Sequence, residues 1–101
     1  MIDKRLNKQR VIELLSRSKP ELQTRFGVAS LALFGSTARD EATNFSDIDI
    51  LVAFDGPATS ERYFGVQFYL EDLFNCPVDL VTEKALRPEL RPYIEQEQIN
   101  V

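Results

Sequence analysis

The residues of this chain with the types and spacing to do chemistry are three carboxylates and one small turn. Asp47 and Asp49 stand two apart in the run Ser46-Asp47-Ile48-Asp49-Ile50-Leu51-Val52-Ala53-Phe54. On a strand that spacing puts both side chains on one face, while Ile48 and Ile50 point the other way into a core and fix the register. Two like charges side by side are unfavourable unless a cation lies between them. Mg²⁺ suits the position, because it takes oxygen ligands, keeps several waters and commonly uses one or two carboxylates plus substrate phosphates. Asp79 lies in Val78-Asp79-Leu80-Val81; if that strand neighbours the first, its carboxylate completes a three-Asp cluster able to hold two metals. Ten residues separate Asp47 from Gly35-Ser36, which interrupts a second apolar run. Gly35 can adopt backbone angles closed to other residues and has no side chain to keep a phosphate away. Ser36 adds a hydroxyl donor, and a helical turn after it would present free N–H groups to an anion. An isolated Gly-Ser is usually a loop, and an isolated Asp-x-Asp usually a solvated strand or turn. With both on adjoining apolar strands, they read as one site.

The elements that must hold these residues follow from periodicity. Residues about 4–17 form an amphipathic helix with Val11, Ile12, Leu14 and Leu15 on one side. Ser18-Lys-Pro20-Glu21 has the form of a capping box with Pro in the first turn, starting a second short helix that Gly27 ends. Val28 to Phe34 is a short buried strand, Gly35-Ser36 leads into one helical turn through Arg39, and residues 40–46 are polar and turn-like. Asp47 to Phe54 is the second strand, stopped by Asp55-Gly56-Pro57. Thr59 or Ser60 caps a helix to about Phe74, with Tyr63, Val66, Tyr69, Leu70, Leu73 and Phe74 on one side and Phe64 and Phe68 outside that stripe. Val78 to Val81 is the third strand, and the tail carries a short helix from about Glu89 to Gln98. The expected fold is α/β (α+β), a small mixed β-sheet flanked by helices, with a fourth short strand hidden in the tail.

Composition narrows the chemistry. There is no His, which excludes imidazole acid–base work, Ser-His nucleophilic catalysis and His-ligated zinc. The only Cys, Cys76, cannot form an internal disulfide or a multi-thiolate metal site. The formal charge of −4 gives no overall basic field to recruit nucleic acid, though a bound metal would reverse the local field. No apolar run approaches the roughly 20 residues of a membrane span, so a membrane role is not expected and a reducing cytoplasm is the simplest home. The 101 residues are expected to form one domain with little room for a second lobe.

Gly35-Ser36, ten residues, then Asp47-Ile48-Asp49 resembles the signature of the DNA polymerase β-like nucleotidyltransferase superfamily. The fuller strings Phe34-Gly35-Ser36-Thr37-Ala38-Arg39 and Ser46-Asp47-Ile48-Asp49-Ile50-Leu51-Val52 are most similar to its minimal nucleotidyltransferase (MNT) family, which includes the MntA-type antitoxins of HEPN/MNT toxin–antitoxin systems. Asp79 fits that family's third carboxylate. Asp40 is a departure, since these proteins often have Gly after the Arg. The resemblance implies a palm-like nucleotidyltransferase fold over residues 1–101 as a single minimal domain. It implies transfer of a nucleoside monophosphate, AMP from ATP, to an acceptor hydroxyl with release of pyrophosphate. Asp47 and Asp49 would bridge two Mg²⁺ ions, with Mn²⁺ as an alternative, and Asp79 would bind the ion that activates the acceptor. Gly35 and Ser36 would hold the β- and γ-phosphates. Arg39 would either add charge to the triphosphate or pair on the surface with Asp40 or Glu41.

Larger relatives carry an extra domain for the acceptor, so here the acceptor is expected on another polypeptide. In the MNT family that partner is a helical HEPN toxin, whose Tyr is adenylylated and whose ribonuclease is thereby silenced. The first expectation is therefore a cytoplasmic Mg²⁺-dependent protein adenylyltransferase acting as an antitoxin in a hetero-oligomer. The rivals are a non-catalytic antitoxin that neutralises its partner by contact, and a nucleotidyltransferase acting on a small molecule or RNA. The acidic charge disfavours the RNA version. Lys84, Arg87 and Arg91 form either a basic edge useful to a triphosphate or a solvated helix face. Phe64 and Phe68 are either a partner surface or covered by the tail or a loop. Tyr63, Tyr69 and Tyr93 do not stand out as nucleophiles, and Cys76 reads as a small semi-buried residue.

Overall fold

The computed structural model describes residues 7–39, 41 and 47–101. The expected helix start near residue 4, the turn over 40–46 apart from Glu41, and the departure at Asp40 lie outside those residues.

Helix α1, Lys8–Phe26, is capped by Asn7, whose side chain accepts from the Arg10 N–H at 2.8 Å. It is one continuous helix, which corrects the expected break at Ser18. Ser18 is not a cap: it is buried and its hydroxyl donates to the Leu14 carbonyl at 2.8 Å. Pro20 removes one backbone donor, yet the buried stripe Val11, Leu15, Ser18, Leu22 runs through it at helical spacing. Burial of Leu22 on the far side of the Pro holds the helix together across the missing bond. Gly27 then ends it at φ 71°, with its N–H donating back to the Gln23 and Leu22 carbonyls.

Strand β1 covers Val28–Phe34, one helical turn α2 covers Gly35–Ala38, and strand β2 covers Ile48–Phe54. Helix α3, Ser60–Phe74, is capped by Thr59 and ends at Asn75 in the left-handed region. Strand β3 is Val78–Thr82, followed by a 3₁₀ turn Glu83–Ala85, helix α4 at Arg91–Glu97 and strand β4 at Ile99–Asn100. The expected fourth strand in the tail is thus present, and α4 is shorter than the expected Glu89–Gln98 because Pro92 must sit in its first turn.

The sheet order is β3-β2-β1-β4, mixed as expected. β1 pairs antiparallel with β2 and with β4, whereas β2 and β3 run parallel, joined through α3. Strand alternation gives the sheet two unlike faces. Leu33 from β1, Ile48, Ile50 and Val52 from β2, and Val78 and Leu80 from β3 pack with α1 and α3 in the main core. Val66, Leu70 and Phe74 meet them from α3, and Val11, Leu15 and Leu22 from α1. The opposite face carries a smaller cluster of Ala32, Leu51 and Leu86, with Phe34, Val81 and Ile94 against it. Asp49 and Asp79 belong to this second face by the same alternation. No helix among the described residues is long and apolar enough to cross a membrane.

Candidate functional site

The site forms where β1 ends and β2 begins. Phe34 pairs with Asp49 in the antiparallel register, so the chain turns at Gly35 directly against the Asp49 side chain. Gly35 sits at φ +75°, the left-handed region, and a Cβ there would overlap Asp49 Oδ2 and lie 2.8 Å from its Cγ. Glycine is therefore required twice, by backbone angle and by contact. The turn is closed by the Arg39 N–H donating to the Gly35 carbonyl at 3.1 Å and the Glu41 N–H donating to the Ser36 carbonyl at 2.8 Å. Ser36 is partly exposed, while Thr37 and Ala38 are buried beneath the turn.

Parallel pairing of β2 with β3 sets Asp49 opposite Asp79. Neighbouring strands lie about 4.8 Å apart, so two carboxylates in register on one face stand side by side. Asp47 lies just before β2, two residues from Asp49 and exposed. The crowding is visible in the protonation of Asp49. Burial pushes its carboxyl up to about 6, helped by the Asp79 charge, a hydrogen bond with Asp79 and the Asp47 charge; Arg39 opposes them weakly. Asp49 is thus the centre of the group. Among the described residues, no three such side chains are closed into a ready-made metal cage. The donor set nevertheless suits a hard divalent cation: it is made of carboxylate oxygens, and beyond burial the neighbouring Asp79 and Asp47 charges disfavour the bare Asp49 carboxylate.

Arg39, the second expected anion contact, is held from two sides. Its Nε donates to Glu41 at 2.7 Å and its Nη1 to Glu97 at 2.9 Å, contacts that raise its pKa further, Glu97 first. The Glu41 pairing is one of the two arrangements expected from sequence. Glu97 was not anticipated, since it lies in a polar tail helix and belongs to no motif. Its other oxygen accepts the Gly35 N–H at 3.1 Å, so that N–H is not directed at an anion, and Gly35 contributes room rather than a donor.

The remaining candidates separate from the site. Arg91 donates to the Glu83 carbonyl at 3.1 Å and pairs with Glu95, bracing the tail, while Lys84 and Arg87 are exposed. The Tyr63 hydroxyl donates to the Leu80 carbonyl and its pKa is raised by burial and by Asp79. Burial likewise raises the Cys76 thiol, which makes it a poor nucleophile. Phe64 and Phe68 are 48% and 60% exposed and stack with ring centroids 6.1 Å apart, so the tail does not cover them.

With this geometry in place, the comparisons with known proteins converge. The family model described as a nucleotidyltransferase domain matches residues 15–100. Protein adenylyltransferase MntA of Thermococcus cleftensis is 34% identical over 96 residues, spanning 95% of this chain and 97% of its own. A solved structure described provisionally as a minimal nucleotidyltransferase superposes with a TM-score of 0.78 at 33% identity, covering 98% of this chain and 100% of that one. A complex of a tri-AMPylated Shewanella oneidensis HEPN toxin with its MNT antitoxin shares the fold, with a TM-score of 0.57 at 21% identity over 97% of this chain and 71% of that one. The chain accordingly belongs to the nucleotidyltransferase family, among its minimal members.

Proposed function

We propose that this nucleotidyltransferase transfers AMP from ATP to a hydroxyl of a partner protein, a tyrosine of a HEPN-type toxin, and so acts as an antitoxin in the cytoplasm. The observation that carries the site assignment is the register of Asp49 against Asp79 with Gly35 packed onto Asp49. Asp47 and Asp49 would hold two Mg²⁺ ions, Asp79 would share the ion on the acceptor side, and Mn²⁺ would substitute. When bound, Mg²⁺ lowers the pKa of the attacking hydroxyl and neutralises charge on the departing pyrophosphate. The bare Gly35 leaves room for the β- and γ-phosphates beside Asp49, Ser36 offers its hydroxyl to them, and Arg39 adds positive charge. The acceptor oxygen forms a bond to the α-phosphorus as the bond to pyrophosphate breaks, and the hydroxyl proton leaves to solvent.

The protein-acceptor part of this reading rests on the names of relatives: MntA of Thermococcus cleftensis is a protein adenylyltransferase, and the MNT antitoxin of Shewanella oneidensis is bound to an AMPylated HEPN toxin. The test is to incubate the purified chain with ATP labelled at the α-phosphate, Mg²⁺ and the protein encoded beside it. Label on a tyrosine of that protein is expected, and none with Asp47→Asn/Asp49→Asn. No transfer from any common nucleoside triphosphate, with Mg²⁺ or Mn²⁺, would sink the proposal. Protection of cells by the Asn double variant at normal expression would replace catalysis with neutralisation by contact.

A further inference from the structure

Glu97 occupies a position that the sheet itself dictates. Val101 N–H donates to the Leu31 carbonyl at 3.0 Å, and Leu33 pairs with Ile99 in the β1–β4 ladder. Each step of two residues along β1 meets a step of two back along β4, and alternate residues of an antiparallel strand face the same neighbour. The next partners in that series are Gly35 and Glu97. There α4 has replaced extended backbone, and the Glu97 side chain supplies the acceptor that the main chain no longer offers, at 3.1 Å from the Gly35 N–H. Its second oxygen takes Arg39 Nη1 at 2.9 Å, while Arg39 Nε is on Glu41. The series is anchored at its far end by Lys19, whose Nζ donates to the Val101 carbonyl at 2.6 Å.

We infer that Glu97 is a positioning residue for the transfer reaction: it locks the Gly35 turn to the edge of the sheet and aims the Arg39 guanidinium at the triphosphate. Two of the guanidinium's edges are used by Glu97 and Glu41, which leaves Nη2 without a partner among the described residues. Arg39 caps the single helical turn that begins at Gly35, the residue packed against Asp49, so the two ion pairs hold its guanidinium beside the turn where the phosphates would lie. A carboxylate at this point would otherwise repel a nucleotide. Because it lies in ladder register and on the edge away from β2, its charge is spent on Gly35 and Arg39 rather than presented to the site.

This role rests on the assignment of Gly35, Ser36 and Arg39 to the nucleotide, and the test separates the two. Binding of Mg²⁺ with a non-hydrolysable ATP analogue, and the KM for ATP and kcat of transfer, would be measured for wild type, Glu97→Gln, Glu97→Ala, Arg39→Ala and the Glu97→Ala/Arg39→Ala pair. Glu97→Gln keeps an acceptor for Gly35 and removes the negative charge that pairs with Arg39. It is expected to fold normally and to raise the nucleotide Kd and KM several-fold. Glu97→Ala should raise them about tenfold, the loss of a charge-assisted contact, with kcat changed less than KM. In the Arg39→Ala background the Glu97→Ala change should add little to KM, because the effect passes through Arg39. Unaltered nucleotide affinity in Glu97→Gln, full additivity in the pair, or tighter binding in Glu97→Ala would each overturn the role, the last by making Glu97 a blocking group. Failure of wild type to bind any nucleotide would instead overturn the site assignment, and the role with it.

Discussion

The two faces of the sheet are built on opposite principles. The face under α1 and α3 is apolar in every strand and closed by helices whose buried residues recur at helical spacing. Among the described residues its buried side chains are uncharged, and they are interchangeable in chemistry if not in shape. The other face has a small cluster around Leu51 and Leu86, thin cover from the tail, and carboxylates on adjacent strands in register. Burial and the neighbouring Asp79 charge oppose ionisation of Asp49, and a Gly must stand where any side chain would fit poorly. One face stabilises the molecule, and the other holds an arrangement that the first must keep in place. Stability and activity should therefore respond to different substitutions.

The largest effect should come from the second face. Asp47→Asn/Asp49→Asn removes two carboxylate charges from the proposed metal site and relieves like-charge crowding. Transfer should fall by at least about 10³-fold, since metal-borne charge stabilisation is worth several kcal/mol of barrier. The melting temperature of the metal-free protein should hold or rise. A radiolabel transfer assay beside thermal denaturation checks both halves. A variant that loses activity and fold together would erase the distinction between the faces.

The converse substitution is Leu70→Ala on α3, fully buried between the helices and the sheet. The lost contacts and the cavity should cost ~2–5 kcal/mol in chemical denaturation. Whatever fraction remains folded should transfer nucleotide at close to the normal turnover. A specific activity per folded molecule reduced more than a few-fold would mean that helix packing and carboxylate geometry are coupled through the sheet.

Legibility in the sequence divides along the same line. The helix-covered face was readable almost residue for residue: β1 at Val28–Phe34, α3 up to Phe74 and the alternation Ile48, Ile50, Val52 follow from apolar period alone. The motif picked out Gly35 and Asp49, which the structure packs together, and strand parity put Asp49 and Asp79 on one face, whereas Asp47, expected to begin β2, lies just before it. Two things were misread or unseen for a shared reason. Ser18-Lys-Pro20-Glu21 has local start signals that burial of Leu22 overrides, so tertiary packing decides what local preference cannot. Glu97 meets Gly35 across 62 positions of chain, a contact set by β4 register that no local pattern encodes.

Gly35→Ala tests the boundary between the faces. The added methyl meets Asp49, and the left-handed angle disfavours any Cβ, so a stability loss of about 1–2 kcal/mol is expected. Activity should fall more than stability does, by about tenfold or more, because Asp49 must move to make room and, in the proposed role of Asp49, small misplacements are costly. Denaturant midpoints and steady-state rates measured on the same preparation give the ratio. Equal losses would mean that Gly35 serves the fold alone.

The smallest effect is the most specific to the carboxylate face, and it depends on pH. Asp49 titrates at about 6 in the folded chain against 3.8 for a free carboxyl, so the folded state holds the proton more tightly than the unfolded one. Its contribution to stability is fully present below pH ~4 and is lost as pH rises through about 6. At full strength that gap is worth ~3 kcal/mol, and solvent screening of a partly exposed carboxylate reduces the expected effect to about 1 kcal/mol, or a few degrees of melting temperature. Subtracting wild type from Asp49→Asn isolates this group from all other titrations. The variant's advantage in metal-free buffer should be near zero at pH 4 and level off above pH ~6.5. Added Mg²⁺ should erase it at neutral pH by stabilising wild type alone, since a cation among the carboxylates relieves the same repulsion that the proton relieves. A pH-independent difference would place the strain in packing rather than in charge, and Asp49 would then belong with the helix-covered face.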